Sequence, residues 1–489
     1  MAATTYDVLI VGGGVSGTAL LYELARYTDL NAIGLVEKYD KVAIVNSHGR
    51  NNSQTIHCGD IETNYTLEKA RTTKRTAGMV VNFGTKLSTE ERDNIIYRYP
   101  KMVLGVGDKQ CDFLRKRFDT FRELFPEMRL LERDDIAAQE PRVVEGRDPA
   151  EKILALGSPN EYTAVNYTTL SEAFVKYAGQ DAEKKGMTCD LHLSTPVHKI
   201  EKEGDLFKVT TPNKGTLQAR YVVVAAGGHS LLFAHQMGYG LDKSCLPMAG
   251  SFYFTPKVLN GKVYTIQNEN LPFAAVHGDP DVLVDGKTRF GPTALMLPLL
   301  ERYNSKTFTE FLRVFRFDSS VAKVFWDLLK VRDIRNYVFK NFMYEVPVLR
   351  EKLFYQSIKS IVPSLRPQDV EFAKGFGGVR PQLIDKTAKK LVMGEAKIDP
   401  GTGIVFNMTP SPGGTSCLGN AEKDLYLAQQ FLGFNIDKEA FEKDLLMGEV
   451  ELRGLDEAPQ MSPEQSSHGE DLDAEQEKEK EGKSVGPEA

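Results

Sequence analysis

The chain of 489 residues is poor in the features that mark secreted, metal-binding or membrane-spanning proteins. Its five cysteines are scattered, odd in number and without C-x-x-C spacing, which argues against a disulfide framework and against a metal site. No metal ligand is therefore predicted. No apolar run approaches the ~20 residues that cross a bilayer. The net charge of −6 does not favour nucleic acid, and no nucleic-acid partner is predicted.

Targeting and catalytic signatures are also missing. The first glycine motif begins about ten residues after Met1, so we expect no presequence or signal peptide in front of it. A Ser-His-Asp order, zinc-ligand spacing and a Walker loop do not occur. The chemistry is therefore expected from a bound cofactor, which the protein positions against its substrate.

The chain is organised around residues 6–38, YDVLIVGGGVSGTALLYELARYTDLNAIGLVEK. The apolar run at 8–11 predicts a buried parallel strand. G-x-G-x-x-G spacing follows, and a helix is predicted from Val15, with its positive end facing the turn. A second strand, 32–36, ends at Glu37, whose carboxylate is placed to accept hydrogen bonds from a ribose diol.

Each glycine of this motif has a physical reason. Gly12 permits the sharp turn, Gly14 lets a pyrophosphate approach the backbone, and Gly17 lets helix and strand pack closely. Because the motif lies between a strand and a helix, it predicts a dinucleotide site rather than a bare structural turn. An acid at position 37, in place of an arginine, argues against a 2′-phosphate, so the expected dinucleotide is FAD or NAD(H).

Two later apolar runs also end in glycine. The run 220–228, RYVVVAAGG, predicts another buried parallel strand, with a tip at Gly227-Gly228 small enough to touch a dinucleotide. The run 403–421 predicts a strand, a turn at Gly413-Gly414 and a helix that starts near Thr415 or Ser416. One extended ligand held by all three turns favours FAD. The positive end of the last helix would stabilise negative charge on the reduced flavin.

The remaining patterns predict a nucleotide-binding part and an antiparallel part. Turns are predicted at Asn260-Gly261 and at 278–280, between antiparallel strands. The polar segment 46–65 is long for a solvated loop and is predicted to lie over the cofactor. Helices are predicted at 67–79, 108–125 and 167–185, and strands at 191–199, 206–211, 251–281 and 289–298.

Two segments differ in composition from the rest. Residues 305–364 predict helices rich in aromatics, and 305–360 carries eleven Lys and Arg against six Asp and Glu. Such a stretch can pack as plain core or lie on an anionic membrane surface, and the pattern alone leaves both open. Residues 449–489 carry 13 acidic and 4 basic residues and few aromatics, which predicts a disordered acidic tail.

Three side chains are candidates for catalysis. Oxidation of an alcohol needs a base for the hydroxyl proton while hydride passes to flavin N5, and a histidine suits that role near neutral pH. His57 in QTIHCGD and His277 in AAVHGDPD lie in polar loops next to glycine, and either one is a candidate base or a structural residue. Arg380 in GFGGVRPQ can bind a substrate carboxylate bidentately or brace its loop, and the neighbouring glycines favour the first role.

Several long motifs together resemble the malate:quinone oxidoreductase family: VGGGVSG, NSQTIHCGDIETNYT, AGSFYF, LPFAAVHGDPD, TRFGPTALMLP, GFGGVRPQ and NMTPSPGGTSCL. The similarity runs from about residue 6 to about residue 445. The resemblance implies an α/β fold, in which a glutathione-reductase-type FAD domain carries a substrate domain of antiparallel sheet and helices. It implies oxidation of L-malate to oxaloacetate, with electrons passed to a membrane quinone.

The resemblance also implies the site residues and the location. His57, His277 and Arg380 would face the substrate. The enzyme would be peripheral, on the cytoplasmic face of the inner membrane, or on the matrix side in mitochondria if a leader has been removed. With the positions adjoining the matched motifs, the residues expected at FAD are Gly12, Gly14, Val15, Ser16, Gly17, Glu37, Lys38, Ser53, Gln54, Thr55, Val197, Ala226, Gly227, Gly228, Gly413, Gly414, Thr415 and Ser416.

The domain division and two alternative functions follow from the same patterns. The FAD domain is expected to be discontinuous (1–80, 145–245 and 375–447), with 81–144 and 246–374 forming the substrate domain and 448–489 the tail. A flavin dehydrogenase or oxidase of another 2-hydroxy acid, such as L-2-hydroxyglutarate, would share the N-terminal unit. A redox-inactive flavin-binding protein is the alternative from another class.

Overall fold

A computed structural model describes residues 4–267, 275–392, 394–409 and 412–447 of the protein. The expected acidic tail, 448–489, lies outside the described residues. The strands are β1 (Thr5–Val11), β2 (Ala32–Val36), β3 (Ile96–Val106), β4 (Arg129–Leu131), β5 (Ile153–Val165), β6 (Thr188–His192), β7 (Lys199–Glu203), β8 (Leu206–Thr211), β9 (Gly215–Val224), β10 (Lys243–Ala249), β11 (Tyr253–Pro256), β12 (Lys262–Thr265), β13 (His277–Pro280), β14 (Lys287–Gly291), β15 (Leu295–Met296), β16 (Glu371–Phe372), β17 (Val379–Asp385), β18 (Lys390–Val392), β19 (Ala396–Ile398) and β20 (Ile404–Met408).

The long helix over 167–185 has a recognisable signal at each end. The Asn166 side chain caps the helix over 167–185, which stops at Gly186 in the left-handed conformation, φ +67°. The helices are α1 (Val15–Tyr27), α2 (Leu67–Thr85), α3 (Thr89–Asp93), α4 (Asp108–Phe121), α5 (Arg133–Gln139), α6 (Pro141–Val144), α7 (Tyr167–Lys185), α8 (Gly228–Gln236), α9 (Phe308–Phe315), α10 (Ser319–Lys330), α11 (Arg332–Met343), α12 (Arg350–Lys359), α13 (Cys417–Leu432) and α14 (Lys438–Phe441).

The first sheet joins strands from both ends of the chain. Its order is β19-β20-β9-β1-β2-β6, and the β7–β8 hairpin extends it from β9. Strand β1 runs parallel to β2 and β9, with Val8 opposite Ile33 and Tyr221. Helices α1, α7 and α13 pack together on this sheet. The apolar runs are buried on both faces, which is typical of a parallel sheet covered by helices.

A second sheet stands beside the first. Its order is β16-β11-β14-β13-β12-β3-β5-β4, and its strands are antiparallel except for the β12–β3 pair. A third, antiparallel sheet has the order β15-β10-β17-β18. The first sheet and its helices, with the antiparallel sheets beside them, confirm the predicted α/β class. Strand β5, which the predicted boundaries place in the FAD domain, pairs with β3 and β4, and those boundaries otherwise stay a prediction.

Some local predictions are wrong. The predicted turn at 278–280 lies inside β13, because Gly278 packs against Phe290 and pairs across the sheet. The predicted strand 191–199 does not form as one element. Residues 193–198 connect the end of β6 to the start of β7, and both strands belong to the first sheet. The predicted single strand at 289–298 breaks at Pro292 into β14 and β15. The structure of these segments depends on pairing between strands that are distant in sequence, and local sequence patterns do not show such pairing.

The helical segment after β15 divides into four helices, α9 to α12, as its aromatic periodicity indicates. No helix in the described part of the chain combines the length and the apolar character that crossing a membrane requires. Among the described residues, no group of three or more His, Cys, Asp and Glu side chains is arranged to hold a metal ion.

Candidate functional site

A cavity of about 560 Å³ lies at the carboxyl edge of the first sheet. This edge carries the turns after β1, β2 and β9, so it is where ligands of parallel α/β sheets bind. The polar segment that follows β2 and the start of β17 close the cavity from the other side. The predicted site residues that line it are Gly12, Gly14, Val15, Ser16, Glu37, Lys38, Ser53, Thr55, His57, Val197, Ala226, Gly227, Gly228, Arg380, Gly413, Gly414 and Thr415.

Four predicted residues lie outside the wall of this cavity: Gly17, Gln54, His277 and Ser416. Gly17 acts through packing, since a Cβ there would stand 2.0 Å from the Gly12 carbonyl oxygen. Gln54 is fully buried and turns inward, where its Oε1 accepts from the Val282 amide at 3.0 Å. The Ser416 hydroxyl donates to the Glu395 carboxylate. The sequence pattern placed these residues near the site, but it could not show which way each side chain turns.

The glycine turn is shaped by backbone contacts. Gly12 has φ +116°, and a Cβ there would lie 2.5 Å from the Ala225 carbonyl oxygen. The turn therefore presses β1 against the end of β9. Gly14 precedes α1 and brings no side chain to the end of the helix, while Ser47 Oγ accepts from the Val15 amide at 2.9 Å. The first turn of α1 faces the cavity, where an anion would meet the positive end of the helix.

Glu37 is held by the backbone around it. Its Oε2 accepts from the Gly13 amide at 2.7 Å and its Oε1 accepts from the Tyr39 amide at 2.9 Å. Burial raises the pKa of this carboxyl above its ordinary value, against the lowering effect of these two hydrogen bonds. The neighbouring Lys38 forms an ion pair with Glu301. Both side chains line the cavity at the end of β2.

The second glycine turn leaves open space where a ligand would pass. Gly227 has φ +58°, and the nearest atom to a Cβ there would be Asn46 Nδ2, at 3.9 Å. A side chain at this position would therefore project into the cavity. This bare backbone next to the Gly12 turn fits a dinucleotide, whose approach any larger residue would block.

The third turn is fastened to the segment that carries His57. The Thr415 hydroxyl accepts from the His57 amide at 3.1 Å and donates to the Thr55 carbonyl oxygen at 3.3 Å. Tyr167 of α7 donates to the same carbonyl at 2.8 Å. A Cβ on Gly414 would meet the Tyr167 ring at 2.6 Å. Loops that are 360 residues apart in sequence therefore form one wall of the cavity.

His57 is oriented by a buried carboxylate that the sequence patterns did not single out. Its Nδ1 donates to Glu62 Oε1 at 2.8 Å, and Glu62 Oε2 accepts from the Gly59 amide at 2.8 Å. Burial acts to raise the pKa of Glu62, but the hydrogen bond and charge of His57 hold it below its ordinary value. Glu62 therefore remains ionised and keeps the Nδ1 proton of His57 in place. This leaves Nε2 as the free ring nitrogen.

The turn that holds Glu62 is fixed from behind by Arg117 of α4. Its guanidinium donates to the carbonyl oxygens of Gly59, Asp60, Glu62 and Tyr65, at 2.8 to 3.2 Å. Four backbone acceptors around one buried cation make this turn rigid. No local sequence pattern indicated the role of Arg117, because α4 lies about 50 residues farther along the chain.

Arg380 carries a cation without a counter-ion. It lies in β17 and lines the cavity, and its guanidinium has no hydrogen-bond or ion-pair partner among the described residues. Burial lowers its pKa, while the hydroxyls of Tyr337 and Tyr264 act in the opposite direction. A half-buried arginine in this position is ready to bind an anion.

His277 lies behind the wall of the cavity, in β13 of the second sheet. Its ring stacks on Tyr264 at a centroid distance of 4.3 Å, and its Nε2 is 3.8 Å from Asp279 Oδ1. Burial lowers the pKa of His277 to about 3, against the attraction of Asp279. The ring is therefore neutral near pH 7. Lys262 bridges Asp279 and Thr55 with two 3.1 Å hydrogen bonds, which links this layer to the cavity wall.

The parallel sheet, its glycine turn and the cavity beneath antiparallel sheets define a class of two-part dinucleotide-binding proteins. The family model for malate:quinone oxidoreductase matches residues 4–416. The chain therefore belongs to the malate:quinone oxidoreductase family, as its motifs indicated.

Individual relatives agree with this assignment. The chain is 48% identical over 454 residues to a probable malate:quinone oxidoreductase of Campylobacter jejuni, covering 91% of this chain and all of that protein. It is 44% identical over 451 residues to the malate:quinone oxidoreductase of Helicobacter pylori, covering 91% and 99%. Among solved structures, the FAD-bound L-α-glycerophosphate oxidase of Mycoplasma pneumoniae matches with a TM-score of 0.58 and 21% identity, covering 88% and 96%. This last likeness confirms the predicted fold.

Proposed function

We propose that this protein uses bound FAD to oxidise L-malate to oxaloacetate and passes the electrons to a membrane quinone. The family match over residues 4–416 carries the proposal, because it includes every strand end that lines the cavity. The geometry adds that His57, which a buried carboxylate orients, and the unpaired Arg380 line one cavity. These are the two groups that oxidation of a hydroxy acid requires.

The cavity fits FAD in chemistry as well as in length. The first turn of α1 would hold the pyrophosphate, and Glu37 would hold the adenosine ribose. Gly227 and Gly228 would allow the nucleotide to pass over the tip of β9. The loops around Ser53 and Gly413 would enclose the flavin ring. When bound, FAD supplies the acceptor for the hydride from the substrate carbon.

Arg380 would hold a carboxylate of the substrate. Its guanidinium has no partner among the described residues, so a bound carboxylate would supply the missing counter-charge with two parallel hydrogen bonds. Binding in this way orients the hydroxyl-bearing carbon. It also strengthens binding, because the cation is half-buried and its charge is poorly screened.

His57 would take the proton from the substrate hydroxyl. Glu62 holds the Nδ1 proton, so the lone pair on Nε2 is free to accept the hydroxyl proton as the carbon gives up its hydride. The substrate would leave as oxaloacetate, and His57 would hold the proton taken from its hydroxyl. Glu62 stabilises the imidazolium that forms, because its carboxylate is ionised and fixed.

His277 is the weaker candidate for this proton transfer. A ring with a pKa near 3 is neutral at neutral pH and is a poor acceptor for a second proton. Its stacking on Tyr264 and its place behind the cavity wall suit a supporting role. Because the His277 ring is neutral, it adds no positive charge near His57. A positive charge there would oppose the protonation of His57.

The membrane partner would meet the helical segment 308–349. We name its exposed apolar side chains the apolar surface: Phe308, Leu312, Phe317, Trp326, Leu329, Val331, Val338, Phe339, Phe342, Val348 and Leu349. Phe317, Trp326 and Phe339 are 64 to 66% exposed, although large apolar side chains are normally buried. The basic excess of this segment would attract anionic lipid headgroups. These properties support peripheral docking on an anionic membrane surface; that this surface is the cytoplasmic face of the inner membrane is proposed from the family resemblance alone.

Anaerobic mixing of the holoenzyme with substrate tests the reaction. L-Malate should bleach the flavin absorbance, whereas L-2-hydroxyglutarate and L-lactate should bleach it much more slowly at equal concentration. Faster bleaching by L-2-hydroxyglutarate would establish the alternative substrate. An unchanged spectrum with all three would show that the protein is redox-inactive towards hydroxy acids and would refute the proposal.

The single tryptophan of the chain reports on membrane docking. Because Trp326 is 64% exposed within the apolar surface, insertion into lipid should shift its fluorescence to shorter wavelength. Vesicles with anionic lipid should give this shift, and replacement of Phe339 by aspartate should weaken it. A spectrum that anionic vesicles leave unchanged would exclude this segment as the docking surface.

A further inference from the structure

A second, smaller cavity of about 210 Å³ adjoins the first, and we call it the annex. The two cavities share Ile44, Val45, Asn46, Asn51, Glu301 and Gly378, so a single layer of residues separates them. Nothing in the oxidation of malate uses the annex. A ligand in it would nevertheless stand directly beside the segment that is expected to enclose the flavin.

A buried cation that lines the annex, Arg302, has an unsatisfied hydrogen-bond donor. The Arg302 side chain is only 9% exposed. Its Nη2 donates to Ser251 Oγ at 2.5 Å and lies 3.4 Å from Glu345 Oε2, but its Nη1 has no hydrogen-bond partner among the described residues. Leaving a donor of a buried charged group without a partner is unfavourable. An acceptor atom in the annex would remove this cost.

The annex also contains an unsatisfied acceptor. The Nδ2 group of Asn51 donates to the Val45 carbonyl oxygen at 2.7 Å, whereas its Oδ1 is buried and has no partner within the described chain. Two of the residues that line the annex therefore hold one free donor and one free acceptor. This combination matches a ligand that has an oxygen able to accept, and that gains a hydroxyl able to donate when it is reduced.

The charges around the annex favour a neutral ligand. The carboxylate of Glu301 is occupied by Lys38, the Tyr39 hydroxyl and Asn304, so it offers little to a cation. Glu345 partly balances Arg302, so a phosphate would gain little from it. The volume is below the roughly 300–1,000 Å³ of pockets for drug-sized ligands, so it suits one flat ring and excludes a long chain.

A chain attached to such a ring has a route outwards. Tyr303 borders the annex and is 58% exposed. Glu345, the partner of Arg302, comes just after α11, where Phe342 of the apolar surface is also 58% exposed. An apolar tail leaving the annex would therefore reach side chains that the proposed function places at the membrane.

We propose that the annex binds the head group of the quinone, with one carbonyl oxygen accepting from Arg302 Nη1. This inference rests on the proposed function, which supplies the quinone as acceptor. The reduced flavin would supply the quinone with two electrons and one proton, and solvent would supply the second proton, so the two carbonyl oxygens would become hydroxyls. One of the new hydroxyls would donate to Asn51 Oδ1.

Arg302→Gln and Arg302→Lys holoenzymes test the assignment, with decylubiquinone as the probe. The enzyme is reduced with dithionite under anaerobic conditions, freed of excess reductant and mixed with decylubiquinone, so the result does not depend on malate. Both variants should reoxidise at least about tenfold more slowly than the wild type, because glutamine removes the charge and lysine lacks the guanidinium fork that places a donor at Nη1. Bleaching by malate should stay within twofold. Decylubiquinone should raise the melting temperature of the wild type more than that of either variant.

The matched control is Arg147→Gln. Arg147 is as buried as Arg302, with a side chain 4% exposed, but it binds Glu151 and the Val143 carbonyl away from both cavities. Its variant should reoxidise at the wild-type rate. Wild-type reoxidation by both Arg302 variants would overturn the proposal, and so would loss of FAD from both. If Arg302→Gln does not fold, the Arg302→Lys result decides alone. If malate did not bleach the flavin of the wild type, the proposed function would be refuted. The reoxidation of dithionite-reduced enzyme by decylubiquinone would still test the role of the annex.

Discussion

Glu62→Gln changes one group of the His57–Glu62 pair and should reverse the hydrogen bond between them. In the wild type, one carboxylate oxygen accepts from the Gly59 amide and the other from His57 Nδ1, both at 2.8 Å. A glutamine has a single oxygen. The backbone amide of Gly59 can only donate, so the glutamine oxygen must face it and the NH₂ group must face His57. Nδ1 must then accept, and the ring proton moves to Nε2.

This wrong tautomer removes the lone pair that should take the substrate proton. Proton transfer by a positioned side chain contributes typically 10²- to 10⁴-fold to a rate. Loss of the ionised Glu62 also removes the stabilisation of the imidazolium. We therefore expect the rate of flavin reduction by malate to fall about 10²- to 10⁴-fold, or about 3–5 kcal/mol in activation free energy.

Stopped-flow absorbance of the anaerobic holoenzyme measures this rate directly. The control is Glu140→Gln, the same substitution at a buried glutamate that accepts from the Asn260 and Gly261 amides, away from the cavity. It should reduce its flavin at the wild-type rate. If Glu62→Gln keeps its FAD and reduces within about threefold of the wild type, the tautomer reasoning is wrong. His57 would then not be the base.

Three further changes test other parts of the structure. Arg380→Lys should raise KM for malate about 30-fold or more, because loss of a bidentate charged contact costs at least about 2 kcal/mol, and steady-state kinetics will show it. Gly17→Ala should lose FAD during purification, since its Cβ would lie 2.0 Å from the Gly12 oxygen; the flavin-to-protein absorbance ratio measures this. Burial raises the pKa of Glu140 to about 7 from 4.5, so its contribution to stability is present below pH 4.5 and is lost as pH rises through 7. Urea unfolding of Glu140→Gln should lack this fall, which is on the order of 3 kcal/mol.

The nucleotide-binding half of the fold was predictable because its signals are local. Strand β1, the glycine turn and α1 are consecutive, so one stretch of sequence contains both the geometry and its reason. Gly17 needs no distant information, since a Cβ there would meet the Gly12 carbonyl oxygen of its own unit. The contact that requires glycine at position 12 is with Ala225 after β9, but the G-x-G-x-x-G spacing still marks it locally. The same holds for the start of α13 after Ser416.

The antiparallel half was less predictable because its pairing is long-range. Strand β12 pairs with β3, about 160 residues earlier, and β5 joins the same sheet although it precedes α7 of the nucleotide unit. His277 was placed in a polar loop by its neighbours, yet β13 buries it in the second sheet. A polar-looking segment becomes core when Lys262 and Arg289 pair inside it with Asp279 and Asp281. No local periodicity reports such compensation.

The polar segment after β2 connects the nucleotide turn to the strand that carries Arg380. Its short side chains replace backbone partners: Ser47 accepts from the Val15 amide at the start of α1, and Asn46 accepts from the Val379 amide at the start of β17. The segment is therefore fastened to the nucleotide turn on one side and to the strand of Arg380 on the other, and it forms the wall shared by the cavity and the annex. A change in this wall should disturb both the reduction of the flavin and its reoxidation. Arg302 lines only the annex, so its variants should slow the reoxidation of the flavin and leave its reduction unchanged. If malate and quinone bind at separate sites beside one flavin, changes in the shared wall and changes at Arg302 must differ in this way.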